Sequence, residues 1–194
     1  MLKVGVTGGI GSGKSLVCAM ISAMGYPVYN ADNQSKIIVE TDPYVISAIK
    51  NLFGEEIYIN GKLNRAKVAE IVFANPPYLE KLNSIVHPAV INHFNQWVDK
   101  YQNRRLLVKE AAILFESGAN VGLDKIIVVT APTDIRIKRV QERDNADVAS
   151  IVRRMNTQML AEELVSKGDY IIENDGNKLL LPQVVYIIDK ILND

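Results

Sequence analysis

The sequence predicts an α/β fold of three layers, a five-stranded parallel sheet packed between helices, and three observations carry that expectation. Short apolar runs alternate with stretches of helical spacing; the run KIIVVTA at 125–131 is apolar on both faces; and the first run leads through a glycine cluster into a helix. Strands buried on both faces in a parallel sheet have this composition. The bulk composition agrees. With 194 residues and 48% hydrophobic side chains, the chain is long enough to bury a core as one domain, 1–194. Its one cysteine, Cys18, has no partner for an internal disulfide, and its place in the first helix reads as a small core residue. The 22 basic side chains balance 22 acidic ones, which argues against a long polyanion such as nucleic acid as partner. No leader-like start and no apolar run of membrane-spanning length are present, so a cytoplasmic protein without membrane contact is expected.

Taken in order, residues 2–7 form the first strand, and residues 15–24 the first helix, apolar at Leu16, Ala19, Met20 and Ala23. Gly25 stops that helix, and a second strand runs through Val28 and Tyr29 to end on the polar pair Asn30 and Asp32. Residues 34–97 are mostly helical, punctuated by Pro43, Gly54, Gly61, Pro76, Pro77 and Pro88. That is too long for a crossover between two strands, so a helical insert spans about 34–103. A third strand leads from residue 105 to Glu110, and residues 125–131 are the fourth. The helix at 133–143 is strongly cationic, with Arg136, Lys138, Arg139 and Arg143, and helical character continues over 147–167. Residues 169–172 give a fifth strand, Asn174, Asp175 and Gly176 a turn, and residues 179–192 a closing helix. No internal repeat is present.

The glycine cluster carries the chemistry. Gly8, Gly9, Ile10, Gly11, Ser12, Gly13, Lys14 and Ser15 match the phosphate-binding loop, Gly, any four, Gly, Lys, then Ser or Thr. Glycines let successive amides turn inward around phosphate oxygens, and the following helix directs its positive end to the same place. Lys14 would neutralise the outer phosphates and the Ser15 hydroxyl would bind magnesium. Such a loop serves switches, motors and kinases alike. The base-reading Asn-Lys-x-Asp and the Asp-x-x-Gly of GTP switches are both absent from the sequence. An acidic strand end of the kind a transport ATPase needs is present only as the run from Leu106 to Glu110.

Beyond the loop, the chain resembles the dephospho-coenzyme A kinase family nearly end to end. The resemblance rests on VGVTGGIGSGKS, NAD ending at Asp32, GKLNRAKVAEIVF with Arg65, and HPAV from His87. It continues through ILFESG at 113–118, VVTAPTDIRIKRVQERD, the Arg154 and Gln158 pair, and GDYIIENDG. Two departures stand out. Where the family has an Asp, an apolar residue and a Pro before LLFE, this chain has Glu110, Ala111 and Ala112 before ILFE; after Asp32 it reads Asn33 to Lys36 in place of a nearby histidine. Glu for Asp keeps a carboxylate one methylene further out, and loss of Pro loosens the strand end.

The resemblance implies a P-loop kinase fold with a helical acceptor-binding insert and an arginine lid at about 136–160. It implies transfer of the ATP γ-phosphate to the ribose 3′-hydroxyl of dephospho-coenzyme A with Mg2+, by a monomer or weak oligomer. Gly8, Gly9, Gly11, Ser12, Gly13, Lys14, Ser15 and Leu16 would then bind ATP, with Ser15 on the metal and Arg139, Asn174 and Gly176 around the nucleotide. Asp32 would be the general base, Lys14, Arg139 and Arg143 the other catalytic groups, and Asp32, Arg65, His87, Leu114, Phe115 and Glu116 the acceptor side. From the residues alone other readings stay open. Asp32 also suits an N-cap, Arg139 and Arg143 a solvated face paired with Glu142 and Asp144, His87 a helix start, Phe115 the core, and Asn174 and Gly176 an ordinary turn. Another small-acceptor kinase, or a non-catalytic ATP-binding regulator, would share the loop.

Overall fold

The computed structural model describes Met1–Asn193, in two compact units: Met1–Asn30 with Lys100–Asp194 (of which Asp194 lies outside the described residues), and Ala31–Asp99. The first unit is built on β1 (Leu2–Thr7), α1 (Lys14–Ala23) and β2 (Val28–Asn30). The second holds α2 (Ala31–Thr41), α3 (Pro43–Phe53), β3 (Tyr58–Ile59), β4 (Lys62–Leu63), α4 (Arg65–Ala74) and α5 (Pro76–Asp99). The chain then completes the first unit with β5 (Leu106–Glu110), β6 (Lys125–Thr130), α6 (Thr133–Asp144), α7 (Val148–Asn156), α8 (Ala161–Lys167), β7 (Tyr170–Glu173) and α9 (Leu180–Asn193).

Among the described residues, five strands form one parallel sheet in the order β2-β5-β1-β6-β7. Side chains alternate across it with the period of two that a strand imposes. Val4, Val6, Leu106, Val108, Ile127, Val129 and Ile172 face Val17, Cys18 and Ile21 of α1 and Val184, Ile187, Ile188 and Ile191 of α9. Residues of opposite parity, including Gly5, Leu107, Lys109 and Val128, lie on the other face, where Leu114, Leu123 and the end of α8 cover them. The predicted layers and the buried Cys18 are therefore in place. The sheet order also has a chemical result: β5 lies between β1 and β2, and Asn30 and Glu110 are register partners at its carboxyl end.

Four details differ from the sequence expectation. The second strand stops at Asn30, and Asp32 already sits in the first turn of α2, where a carboxylate complements the helix dipole. The helical insert contains the hairpin β3–β4, turned by Asn60 (φ 51°) and Gly61 (φ 77°). An Asn-Gly pair between β-forming residues is the sequence signal for that turn. The helical stretch 147–167 breaks at 157–160, where Thr157 ends α7 and Leu160 is extended before α8. His87, finally, lies inside α5, which runs through Pro88 instead of starting there.

Candidate active site

The loop at 8–13 leaves the end of β1 and enters α1 with Gly13 at the N-cap position, φ 98°. Only a residue without Cβ fits there: an added Cβ would lie 2.2 Å from the Asn174 Nδ2 atom, and one at Gly8 would lie 2.2 Å from the Val129 carbonyl oxygen. Lys14 is 8% exposed, and its ammonium donates to the Gly8 carbonyl at 2.8 Å and the Gly9 carbonyl at 3.4 Å. The charge is thereby held across the mouth of the loop. The first turn of α1 carries no acidic side chain, so the positive helix end and its leading amides are left to an anion. Ser12 is buried and its hydroxyl has no hydrogen-bond partner among the described residues.

Side chains from distant segments brace the loop from outside. Arg136 Nε donates to the Ile10 carbonyl at 2.9 Å, and the Asn174 amide donates to the Ser12 carbonyl at 2.8 Å. Arg139 donates to Asn174 Oδ1 at 3.1 Å and lies 3.5 Å from the Gly11 carbonyl oxygen. The Ile10 amide donates to Gln158 Oε1 at 2.8 Å. These bonds fix the shape of the loop from its carbonyl side, while the Ile10 amide is taken by Gln158 and the Ser12 amide by the Gly9 carbonyl at 3.1 Å. Burial pushes the Arg136 guanidinium below its ordinary pKa. The sequence reading places Arg136 and Gln158 within the lid at about 136–160 and gives neither a contact with the loop; their bonds join segments more than a hundred residues apart, which spacing cannot reveal.

Arg143 behaves differently from Arg139, with which it was grouped. Its side chain is 60% exposed and bonds Asp144 at 2.7 and 2.9 Å, and Arg154 joins the same carboxylate at 3.0 Å. The Arg143 hydrogen bond holds the Asp144 carboxyl well below the usual carboxylate range, with Arg154 adding to it. The Arg143 fork thus reaches Asp144 and not the loop. Gly176 (φ 86°) stands in the open turn after β7, with nothing within 4 Å of where a Cβ would be.

Glu110, 4% exposed, ends β5 beside α1. Its Oε1 accepts from the Ser15 hydroxyl at 2.6 Å and its Oε2 from the Asn30 amide at 2.6 Å. Burial, then Glu110 itself, raises the pKa of the neighbouring Cys18 thiol, which is therefore an uncharged, inert group. Ser15 and Glu110 together present hard oxygen donors, the type magnesium takes alongside phosphate oxygens and water. Among the described residues no cluster of three or more His, Cys, Asp or Glu exists to cage a metal by itself. The extra methylene of Glu110 is accommodated, and its carboxylate still reaches the loop serine.

The acceptor-side candidates divide between the units. In the second unit Asp32 is exposed, and Arg65, also exposed, donates to the Lys36 carbonyl at 3.0 Å and to Glu40 at 2.9 Å. Positions 32, 36 and 40 share one face of α2, so Arg65 packs along the face that carries Asp32. His87 is half-buried, and burial lowers its pKa. In the first unit the 113–118 segment departs from expectation at Leu114. That side chain is fully buried, its Cδ2 2.9 Å from where a Cβ on Gly5 would be, so it packs in the core. Phe115 lies under the Lys167 ammonium at 5.8 Å, and Glu116 Oε1 accepts from the Met159 amide at 2.9 Å.

The family model for dephospho-CoA kinase matches residues 2–179. A dephospho-CoA kinase of Bacteroides fragilis is 41% identical over 187 residues, covering 96% of this chain and 91% of the relative. Among solved structures, TT1252 from Thermus thermophilus superposes with a TM-score of 0.88 at 30% identity, covering 98% of this chain and 97% of the other. Dephospho-CoA kinase from Campylobacter jejuni superposes with a TM-score of 0.72 at 26% identity, covering 98% and 97%.

Proposed function

The chain belongs to the dephospho-CoA kinase family, and from that premise we propose the residue roles by which it works. It is an ATP-dependent phosphotransferase of coenzyme A synthesis, moving the γ-phosphate of ATP to the ribose 3′-hydroxyl of dephospho-coenzyme A. The single observation that carries the assignment of roles is the contact of the Ser15 hydroxyl with Glu110 at the mouth of a loop already holding Lys14. The amides of the loop receive the polyphosphate, and Lys14 moves from the Gly8 carbonyl to the terminal phosphates. Ser15 and Glu110 would hold Mg2+. The ion, when bound, neutralises charge on the transferring group. Arg139 steadies the nucleotide end of the loop together with Asn174, and Gly176 leaves the turn open for the base.

Asp32 is assigned the general base toward the 3′-hydroxyl, and Arg65 and His87 hold the acceptor from the helical unit. Support for these three is the family pattern together with their grouping in the unit Ala31–Asp99. The enzyme is read as cytoplasmic, a monomer or weak oligomer acting on small molecules without nucleic acid or membrane. No helix among the described residues is long and apolar enough to cross a membrane. The decisive experiment measures ADP release from Mg-ATP with and without dephospho-coenzyme A, with mass spectrometry of the acceptor. Acceptor-dependent turnover and a gain of one phosphate are expected; ATP binding without transfer would overturn the assignment.

A further inference from the structure

The break between α7 and α8 joins two places that the reaction treats as separate. Gln158 Oε1 accepts from the Ile10 amide in the glycine loop, and the next residue, Met159, donates its amide to Glu116. A second contact ties the same two segments. Phe115, beside Glu116, lies under the ammonium of Lys167, the last residue of α8, at a distance where a cation is drawn to a ring face. At its other end α8 adjoins the loop, since Ala161 and Leu164 line one small cavity with Gly9, Ser12 and Arg136.

We propose that Glu116 is a positioning residue for the ATP loop, acting through the Gln158–Met159 linker, and not chiefly an acceptor contact. The Glu116 carboxylate is spent on the Met159 amide, and a charged acceptor makes that the stronger kind of hydrogen bond. With Met159 fixed, the adjoining Gln158 oxygen is held on Ile10, whose carbonyl is fixed from the other side by Arg136. Loss of Glu116 releases one peptide of the linker, and the effect appears at the loop. This inference rests on the reading of the loop as the ATP site.

The test is calorimetric titration of the full chain with Mg-ATP alone, using Gln158→Met, Glu116→Ala and the double variant. Each single change is expected to weaken ATP binding about 3- to 10-fold, the size of one lost hydrogen bond. The double variant should be no weaker than the worse single one, because both act on one chain of contacts. Glu116→Gln, which keeps the acceptor oxygen, should restore affinity, and Glu116→Asp, which keeps the charge but not the reach, should not. ATP affinity of the wild type in Glu116→Ala, or losses that multiply in the double variant, would overturn the coupling alone. A wild-type chain that fails to bind Mg-ATP would overturn both the coupling and the reading of the loop.

Discussion

In the glycine loop Ile10, Gly11 and Ser12 are each bonded or apposed to a side chain from α6, from the 157–160 linker or from the end of β7. In the helical unit, by contrast, Asp32 and Arg65 are exposed, and Arg65 bonds α2 of the same unit. The difference agrees with the proposed division of labour between donor and acceptor. A triphosphate carries dense charge, and donors fixed in advance cost no reorganisation when that charge shifts during transfer. The reacting alcohol of the acceptor, unlike its diphosphate, is neutral before transfer and needs mainly orientation and a base. On the proposed reading, a braced loop and exposed Asp32 and Arg65 suit those two needs.

The sharpest way to break this comparison is Asp32→Asn. If the flank supplies the base, kcat should fall about 10²- to 10⁴-fold while ATP affinity stays at the wild-type value. Steady-state kinetics beside an ATP titration would show it, and full kcat in the variant would leave the flank a binding surface only. On the loop side, Lys14→Met should lower kcat/KM about 10²- to 10³-fold, the usual loss when a preorganised charge donor is removed. Circular dichroism should stay unchanged, because the bonds of the Lys14 ammonium to the Gly8 and Gly9 carbonyls lie within the loop and outside the helices and strands.

Glu110→Gln sharpens the same contrast at the metal. The amide keeps shape and can still accept from Ser15, but it loses the charge that holds a divalent ion. Activity should fall about 10- to 100-fold, and part of it should return as Mg2+ is raised. A variant equally active at every Mg2+ concentration would remove Glu110 from the metal site.

How much of this was legible beforehand depended on the range of the determining contacts. The five strands, the glycine loop and the parallel sheet are written in local periodicity and in one short motif, and they are found where those signals stand. The β3–β4 hairpin was equally local, in Asn60 and Gly61, yet its two-residue strands vanish inside a helical pattern. Long-range bonds were out of reach. Nothing in the spacing joins Ile10 to Gln158, or Ser15 to Glu110, until the sheet order sets β5 between β1 and β2. Leu114 shows the reverse case: a resemblance places it in a binding segment, while the bare Gly5 of β1 leaves the space its buried side chain fills in the core.

Lys109 refines the comparison further, because it ties the chain just after the 113–118 segment to the sheet. It follows the strand alternation onto the face opposite Glu110, is 2% exposed, and donates to the Ala119 carbonyl at 3.1 Å. Burial pushes its pKa down to about 8. The unfolded chain would hold that proton up to about 10.4, so between the two values the unfolded form binds more protons and rising pH favours the folded one. Against Lys109→Met, the wild type should therefore gain stability on the order of 2 kcal/mol between pH 7 and pH 9.5. Urea denaturation of both proteins at the two pH values measures the gain as a difference, which cancels the other titrating groups. A difference independent of pH would mean that the ammonium stays charged throughout, its Ala119 bond outweighing the cost of burial.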